Sequence, residues 1–471
     1  MAPPTFKMLI NGKLVEGEGT FDVINPSTGE VFAQAPECSE AQLDEAVRAA
    51  REAFPGWSKT QVKDRQAAMA KAAKILEKNL DALVETLVKE QGKPTHLAKQ
   101  EIQGCIATMQ HAAERDFQFE KVIVDDDKEK VIQKYVPLGV VGGITPWNFP
   151  PLMATWKFVE ALIMGNTCII KPSHFTPLST LHLGEILQDA FPAGVLNMLT
   201  GDENQGKWLV AHKDVDKISF TGSTRAGISI QKAAADTLKR VVLELGGNDA
   251  AIVLDDADPK EAAKGLFDFA MSNSGQVCIA IKRAYVHETL FQQVTEELAR
   301  LAKDAKVDDG FKEGVTLGPM NNKMQLEKVV ELVNDAKAAG AKILASGEAP
   351  EGKGYFFPPT IITEVKEGVR IVDEEQFGPV LPVMPYSNID EAVERANSSE
   401  YGLGASVWSS NLTRAQEVAD RLHSGTVWIN KHADLSPNVP FGGAKASGIG
   451  RQLGDYTMES NMEAKIIRIA K

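Results

Sequence analysis

Apolar residues recur at helical spacing through the first quarter of the chain. The pattern over residues 41–54 places its apolar side chains on one face of a helix. Similar patterns cover residues 61–78, 80–91 and 97–118. The pattern over 80–91 is followed by Gly92 and Pro94, which together are a typical helix stop signal. The sequence therefore predicts successive helices in this region.

Short apolar runs then replace the helical pattern. Buried strands are predicted at residues 139–144, 167–170, 217–220, 241–245 and 250–254. Helical patterns near residues 155–164, 176–190 and 204–212 separate several of these runs. Strands that alternate with helices form parallel sheets with both faces covered. The predicted fold class is therefore α/β, with a doubly wound parallel sheet.

A second alternating region begins near residue 262. Helical patterns cover residues 287–304, 321–339 and 389–397, and a strand-like run covers 342–346. Residues 122–137 and 463–471 fit neither region and resemble a charged hairpin and a terminal strand. An isolated hairpin is barely stable in water. We therefore expect these two segments to form one projecting sheet that pairs with another subunit.

Composition narrows the classes of protein to consider. Of the 471 residues, 43% are apolar and 24% are charged, as in globular proteins, and the net charge is −13. This length predicts two or three domains. The acidic balance argues against a nucleic-acid-binding or anionic-membrane-binding surface. No apolar stretch approaches the ~20 residues of a membrane span, and we recognise no secretory signal.

The cysteines are few and widely spaced. The chain has four, and they form neither a disulfide framework nor a CxxC metal-binding pattern. We therefore expect no metal site and a reducing, cytoplasmic location.

Cys278 is the first candidate for chemistry. It follows a bend of small residues, and Glu244 lies 34 positions earlier at the glycine-flanked end of a predicted strand. A thiol and a carboxylate can act as nucleophile and general base at a carbonyl carbon. A single cysteine is more often a small buried apolar residue, so that reading also stands for Cys278 taken alone.

Two strand ends are candidates for binding a phosphorylated ligand. Residues 220–227 lead from a strand into a helix through a GxTxxG turn, whose N–H groups suit a pyrophosphate. This spacing is weaker evidence than GxGxxG, and an ordinary tight turn is an equal alternative. Lys171 ends another strand, where ligands of doubly wound sheets bind. A surface lysine is the alternative there, and Cys168 is interpreted as a packed thiol.

Asn148 lies between two aromatic residues and two prolines in the segment 145–150. The prolines restrict the backbone and so hold the Asn148 amide in one place. A fixed amide is a suitable donor for an oxyanion hole. An Asn turn bonded to its own backbone is an equal alternative.

The order of these motifs is more specific than any one of them. The strings ITPWNFP, GNTCIIKPS, FTGSTRAG, LELGG, SGQVC, EEQFGPV and PFGGAKASGIGR resemble those of the aldehyde dehydrogenase superfamily. The resemblance covers essentially the whole chain, in family order. It implies an NAD(P)-dependent, hydrolytic, non-acylating enzyme. It also implies three parts, an NAD(P)-binding domain (1–120 and 138–246), a second α/β catalytic domain (247–446) and a small β oligomerisation arm (121–137 and 447–471).

The resemblance assigns roles to the candidate catalytic residues. Cys278 matches the nucleophile that attacks the aldehyde, and Asn148 matches the donor that holds the oxyanion. Hydride passes to the nicotinamide, and Glu244 matches the base that activates water to hydrolyse the thioester. Lys157 and Glu463 match a buried pair proposed as a proton route to the base, with a structural salt bridge as the equal alternative.

The same matching assigns the coenzyme contacts. They are Thr145, Pro146, Trp147, Lys171, Ser173, His174, Gly222, Ser223, Gly227, Leu245, Gln325, Glu375 and Phe377, with Lys328 nearby. Glu375 would hold the nicotinamide ribose, and Phe377 would pack near the nicotinamide ring. Members specific for NAD often carry Glu where this chain has His174. Protonated imidazole attracts a 2′-phosphate whereas a carboxylate repels it, and Arg225 lies nearby, so NAD and NADP both stay open.

The implied substrate pocket is apolar. Its positions are Phe149, Met153, Trp156, Val277, Ile279 and Leu435, which favour an uncharged aliphatic or aromatic aldehyde, although such residues also build cores. The family arm implies a homodimer or a homotetramer. The physiological aldehyde, the coenzyme preference and the choice between dimer and tetramer stay open.

Two other functions compete with this hypothesis. An acylating enzyme of the same fold would pass the thioester to coenzyme A, but such enzymes typically lack the base that Glu244 matches. A non-catalytic protein could keep the fold, but it would have no need for Cys278, Glu244 and Asn148 together.

Overall fold

The computed structural model describes residues 5–350 and 352–471, and two large sheets organise them. The first sheet has eight strands. In spatial order they are Lys13–Val15, Met8–Ile10, Leu196–Met198, Thr167–Lys171, Val140–Ile144, Lys217–Thr221, Arg240–Glu244 and Gly448–Ile449. The five from Leu196–Met198 to Arg240–Glu244 are parallel, and the outer pairings are antiparallel.

Helices cover both faces of the first sheet. They are Glu40–Trp57, Val62–Lys78, Leu80–Gln91, Thr95–Glu114, Pro150–Ile163, Leu178–Ile186, Glu203–Ala211 and Thr224–Ala235. The strand Thr167–Lys171 shows why, because Cys168 and Ile170 belong to one apolar core and Ile169 belongs to another. A strand sends alternate side chains to opposite faces, so an all-apolar strand needs cover on both sides. This confirms the predicted doubly wound α/β class.

The second sheet has seven strands. In order they are Lys342–Ala345, Thr360–Thr363, Val380–Tyr386, Ile281–His287, Asp249–Val253, Gly404–Trp408 and Thr426–Ile429. All neighbours are parallel except the first pair. Its helices are Pro259–Met271, Glu288–Asp304, Lys323–Ala338, Arg370–Asp373, Ile389–Asn397 and Leu412–Ala419.

A third sheet of three strands projects from the rest. Glu129–Pro137 lies at its centre, between Glu120–Asp125 and the terminal strand Met462–Ala470. The hairpin and the terminal strand thus form one sheet, as the sequence predicted. These three strands are called the arm sheet. Several of its apolar side chains are exposed, namely Val122, Ile123, Ile466 and Ile469.

The sequence missed several short strands. Smaller pairings join Gly19–Asn25 to Glu30–Glu37 and Tyr401–Gly402 to Ala444–Lys445, and a short helix spans Tyr456–Asn461. The first 37 residues therefore supply strands before the first helix. Among the described residues, no helix is long and apolar enough to cross a bilayer.

Candidate active site

A sharp turn presents Cys278. After the helix Pro259–Met271, the single 3₁₀ turn Ser272–Gly275 contains three consecutive residues with positive φ, at 50°, 57° and 71° for Asn273, Ser274 and Gly275. A positive φ is unfavourable for residues other than glycine. A Cβ on Gly275 would overlap the carbonyl oxygen of Gly378. The chain therefore reverses here at a conformational cost.

The residues after this turn, 276–280, are called the nucleophile loop. Cys278 lies at its centre and is half-buried, whereas the other three cysteines are fully buried. Burial raises the pKa of the Cys278 thiol to about 12, and the positive charge of Lys282 opposes that rise. The negative charge of Glu244 contributes to the rise, which places thiol and base in one region of the molecule.

Asn148 contacts the nucleophile loop directly. Its Nδ2 donates to the carbonyl oxygen of Gln276 at 2.9 Å. The backbone carbonyl oxygen of Asn148 accepts from Lys93 Nζ at 2.8 Å and from Asn273 Nδ2 at 3.2 Å. An amide nitrogen has two N–H donors, and the Gln276 bond occupies one of them. Asn148 is thus a buried donor fixed against the nucleophile loop, and such a donor suits an oxyanion hole.

Glu244 ends the parallel strand Arg240–Glu244 and is 4% exposed. Neither carboxyl oxygen has a hydrogen-bond partner among the described residues. Burial raises the pKa of Glu244 well above its ordinary value, while Lys157 and Arg451 oppose the shift. The carboxyl group is therefore protonated more readily than an exposed one, and it is free to bind water.

The predicted pair of Lys157 and Glu463 is wrong. Lys157 is buried and donates to Thr221 Oγ1 at 2.7 Å, and the acids that act on it are Glu244 and Glu160. Glu463 lies on the arm sheet, is exposed, and accepts from Arg240 at 2.7 Å. The pairing of the terminal strand with Glu129–Pro137 carries Glu463 to the surface.

The GxTxxG turn begins the helix Thr224–Ala235. Ser223 caps it by accepting from the N–H of Ala226 at 3.3 Å, and its side chain is exposed. A Cβ on Gly227 would lie 2.5 Å from Leu245 Cδ2, so glycine allows the helix to approach Leu245. The exposed turn leaves a helix N-terminus that suits a phosphate group.

Lys171 and His174 lie at the end of the strand Thr167–Lys171. Burial lowers the pKa of Lys171 to about 8. The His174 ring stacks on Phe175 with 4.0 Å between centroids. Burial first, and then the Lys171 charge, lower the pKa of His174, which favours the neutral imidazole.

Ser173 and the residues of the segment 145–147 line the same strand ends. Ser173 Oγ accepts from the N–H of Phe175 at 3.3 Å. The N–H of Thr145 donates to the carbonyl of Lys171 at 3.1 Å, and Thr145 Oγ1 is buried without a hydrogen-bond partner among the described residues. Pro146 and Trp147, by contrast, are partly exposed.

Glu375 and Phe377 belong to a later segment of the chain that contacts Gly247 and Trp147. Glu375 Oε1 accepts from the N–H of Gly247 at 3.0 Å, and the Phe377 ring meets Trp147 edge to face at 5.2 Å. Gln325 Nε2 donates to the carbonyl of Gln376 at 2.8 Å. Lys328 likewise donates to the carbonyl of Glu375, at 2.8 Å. Gln325 and Lys328 thus hold the backbone of the segment that carries Glu375 and Phe377.

Two glycines in this region allow neighbouring side chains to approach the backbone closely. A Cβ on Gly246 would lie 2.5 Å from Glu375 Oε2, and one on Gly222 would lie 2.5 Å from the Phe220 ring. With Thr145 Oγ1 left unpaired, these residues fit a group that brings its own hydroxyls and phosphates.

The predicted pocket residues meet at the thiol. One apolar cluster contains Trp156, Val277 and Ile279, with Phe149, Met153, Leu435 and Cys278 packed against it. The sequence missed other members of the cluster, including Leu403, Trp428, Phe441 and Leu453. Leu403, Trp428 and Leu453 lie outside the motifs named above, and Phe441 lies in one of them, PFGGAKASGIGR, but was not assigned to the pocket.

Two more buried residues hold the nucleophile loop and were missed. Lys282 Nζ donates to the carbonyl oxygens of Val277 and Cys278 at 2.7 and 3.0 Å. His432 Nε2 lies 2.7 Å from the carbonyl oxygen of Ile279. A lysine inside an apolar run beside the candidate nucleophile was the signal available for Lys282.

Comparisons with known proteins identify the family of the chain. A family model described as the aldehyde dehydrogenase family matches residues 14–467. The chain is 41% identical to a mitochondrial aldehyde dehydrogenase of Leishmania tarentolae over 98% of this chain and 95% of that protein. It is 38% identical to a phenylacetaldehyde dehydrogenase of Pseudomonas fluorescens over 98% and 96%. The NAD+ complex of an aldehyde dehydrogenase from Bacillus cereus superposes with a TM-score of 0.96, at 38% identity, covering 99% of this chain and 97% of that one.

Proposed function

The chain belongs to the aldehyde dehydrogenase family, and on that premise we propose that Cys278, Glu244 and Asn148 carry out its reaction. Members oxidise an aldehyde to the carboxylic acid with NAD(P)+, and this chain is an oxidoreductase of that class. The observations that carry the assignment are a half-buried thiol, an amide bonded to the nucleophile loop, and a buried carboxyl that has no hydrogen-bond partner among the described residues and whose charge acts on the thiol.

Cys278 begins the reaction. As the thiolate, its sulfur forms a bond to the carbonyl carbon of the aldehyde while the carbonyl π bond opens, and the carbonyl oxygen becomes an oxyanion. The second N–H of Asn148 and the backbone N–H of Cys278 donate to that oxygen, which stabilises the tetrahedral thiohemiacetal. Bound NAD(P)+ supplies the acceptor for the hydride that leaves the carbon. The carbon–oxygen double bond re-forms, and Cys278 then carries a thioester.

Glu244 completes the reaction. Its unpartnered carboxylate accepts a proton from water while the water oxygen attacks the thioester carbon. The carbon–sulfur bond breaks, the sulfur leaves as the thiolate, the carboxylic acid is released, and Glu244 returns its proton to water. Lys157, bonded to Thr221, lies near enough to favour the charged form of Glu244. We assign Lys157 to the catalytic set for this reason, without Glu463.

The coenzyme site is proposed at the open ends of the parallel strands. The residues assigned to it are Thr145, Pro146, Trp147, Lys171, Ser173, His174, Gly222, Ser223, Gly227, Leu245, Glu375 and Phe377, with Gln325 holding the last two. The helix after Ser223 and the Lys171 ammonium suit phosphate and ribose oxygens. Because His174 brings no negative charge against a 2′-phosphate, we propose that both NAD and NADP are accepted.

The substrate is proposed to be an uncharged aliphatic or aromatic aldehyde. The cluster around Cys278 is built from aromatic and aliphatic side chains, which favour an apolar group by burial. The name of the Pseudomonas relative, a phenylacetaldehyde dehydrogenase, supports an aromatic substrate among these.

The assembly is proposed to be a homodimer or a homotetramer joined through the arm sheet. Exposed Val122, Ile123, Ile466 and Ile469 are apolar surface that another subunit could bury.

The domain boundaries of the sequence analysis remain our proposal, with Gly448–Ile449 added to the first sheet. A cytoplasmic location is also proposed, since all four cysteines are free.

The test is a panel of aldehydes with NAD+ and with NADP+, in which NADH or NADPH formation is followed by absorbance. We expect turnover of apolar aldehydes with both coenzymes, release of the free acid, and no turnover by Cys278→Ala. Product that forms only when coenzyme A is added would indicate the acylating reaction instead. Turnover retained in Cys278→Ala would remove the thiol from the mechanism.

A further inference from the structure

Lys282 is a buried lysine directly beyond the nucleophile loop, near the start of the strand Ile281–His287. Its side chain is 3% exposed. Nζ donates to the carbonyl oxygens of Val277, Cys278 and Ala280, at 2.7, 3.0 and 3.3 Å. These three acceptors match the three N–H donors of an ammonium group. The loop therefore wraps around a single positive charge.

Burying a lysine is costly unless its charge is compensated. Three backbone carbonyls compensate part of this charge, and one of them belongs to Cys278 itself, 3.0 Å from Nζ. Lys282 exerts the largest charge effect on Cys278, and it favours the thiolate, whereas Glu375, Asp249 and Glu244 oppose it.

The same ammonium also faces the proposed coenzyme site. Glu375 Oε1 lies 3.9 Å from Nζ, and the centroid of the Phe377 ring lies 6.0 Å from it. Glu375 is partly buried, and Lys282 gives the largest charge effect that favours its ionised form. One side chain thus contacts the nucleophile loop and the segment proposed to hold the nicotinamide ribose.

We propose that Lys282 is a positioning residue of this reaction, whose fixed charge stabilises the Cys278 thiolate while its three N–H groups hold the nucleophile loop. The proposal rests on the assignment of Cys278 as nucleophile. The charge opposes burial of the thiol and the three carboxylates Glu375, Asp249 and Glu244, all of which favour the protonated form.

The experiment measures alkylation of Cys278 by iodoacetamide against pH, without coenzyme, with the modified cysteine identified by mass spectrometry. Only the thiolate reacts, so the profile follows its ionisation. Three variants are compared with the unmodified protein. Lys282→Gln keeps N–H donors without the charge, Lys282→Met removes both, and Lys282→Arg keeps the charge.

We expect the Lys282→Gln and Lys282→Met profiles to move to higher pH, with alkylation about tenfold slower below the plateau, as loss of a nearby opposite charge predicts. Lys282→Arg should keep most of the original profile. Lys217→Met is the matched control, because Lys217 is equally buried but is bonded to Asn461 in another part of the fold. Its profile should not move.

A folded Lys282→Gln variant with the original profile would overturn the proposal and leave only a structural clamp. Since Gln preserves donors, it decides the question even where Lys282→Met does not fold. The proposed function fails differently. In that case, complete alkylation of Cys278 would leave aldehyde oxidation intact, whatever the profile of the Lys282 variants.

Discussion

The nucleophile and the base lie in one region but in opposite surroundings. Residues next to Cys278 are bonded from several directions, by Asn148, Lys282 and His432. Glu244 has no hydrogen bond from either carboxyl oxygen among the described residues. The difference matches two tasks. A nucleophile must be held at a fixed approach to the carbonyl carbon, whereas a base that binds water can turn without first breaking a bond.

Removing the base should give the largest change. In Glu244→Gln, hydrolysis of the thioester loses its proton acceptor, and we expect the steady-state rate to fall about 10²–10⁴-fold. The first turnover should still release NADH, because attack by Cys278 does not use Glu244. Rapid mixing would show a burst equal to the enzyme concentration. If the burst disappeared along with steady-state turnover, Glu244 would act in the first step. The separation of tasks between the nucleophile and the base would then be wrong.

Removing the fixed amide should cost less. Asn148→Ala takes away one oxyanion donor, so we expect kcat to fall about 10²–10³-fold. Asn273→Gly is the control, since Asn273 also donates to the carbonyl of Asn148 and glycine accepts its positive φ. Its loss should be clearly smaller. Equal losses in both variants would mean that loop order, and not the amide donor, limits the rate.

The free carboxyl should also set a pH dependence of stability. The pKa of folded Glu244 is raised by burial, so the folded state keeps this proton to higher pH than the unfolded state. Its contribution is full below the ordinary carboxyl range and is lost as pH rises, by about 1.4 kcal/mol per unit of pKa difference. Thermal unfolding should therefore show Glu244→Gln gaining stability over the unmodified protein from acid to neutral pH. A constant difference would contradict this.

The smallest change is expected from one bond on the nucleophile side. His432→Phe keeps a buried ring against Trp428 but loses the bond to the carbonyl of Ile279. We expect the free energy of unfolding to fall by about 1 kcal/mol. Denaturant unfolding would measure it, with alkylation of Cys278 as a check on the loop. No change in stability would mean that Asn148 and Lys282 are sufficient to hold the loop.

Whether the sequence predicts the role of a residue depends on where the contacts of that residue come from. Cys278, Asn148 and Glu244 were found because each sits in a short motif at a strand end or turn. The partner of Lys157 was predicted wrongly because it depends on where the distant strand Met462–Ala470 lies. Lys282 was missed because its partners are backbone carbonyls, which carry no residue identity. The strands in the first 37 residues were missed because their apolar runs are short, and only their pairing with other strands identifies them.

The short strand Gly448–Ile449 has a consequence for synthesis of the protein. It forms the outer neighbour of the strand that ends in Glu244, pairing Gly448 with Glu244 itself. On the ribosome, this edge stays open until residues 448 and 449 have emerged, after all the other strands of the first sheet. A nascent or truncated chain that lacks them therefore carries its thiol without a finished wall around its base.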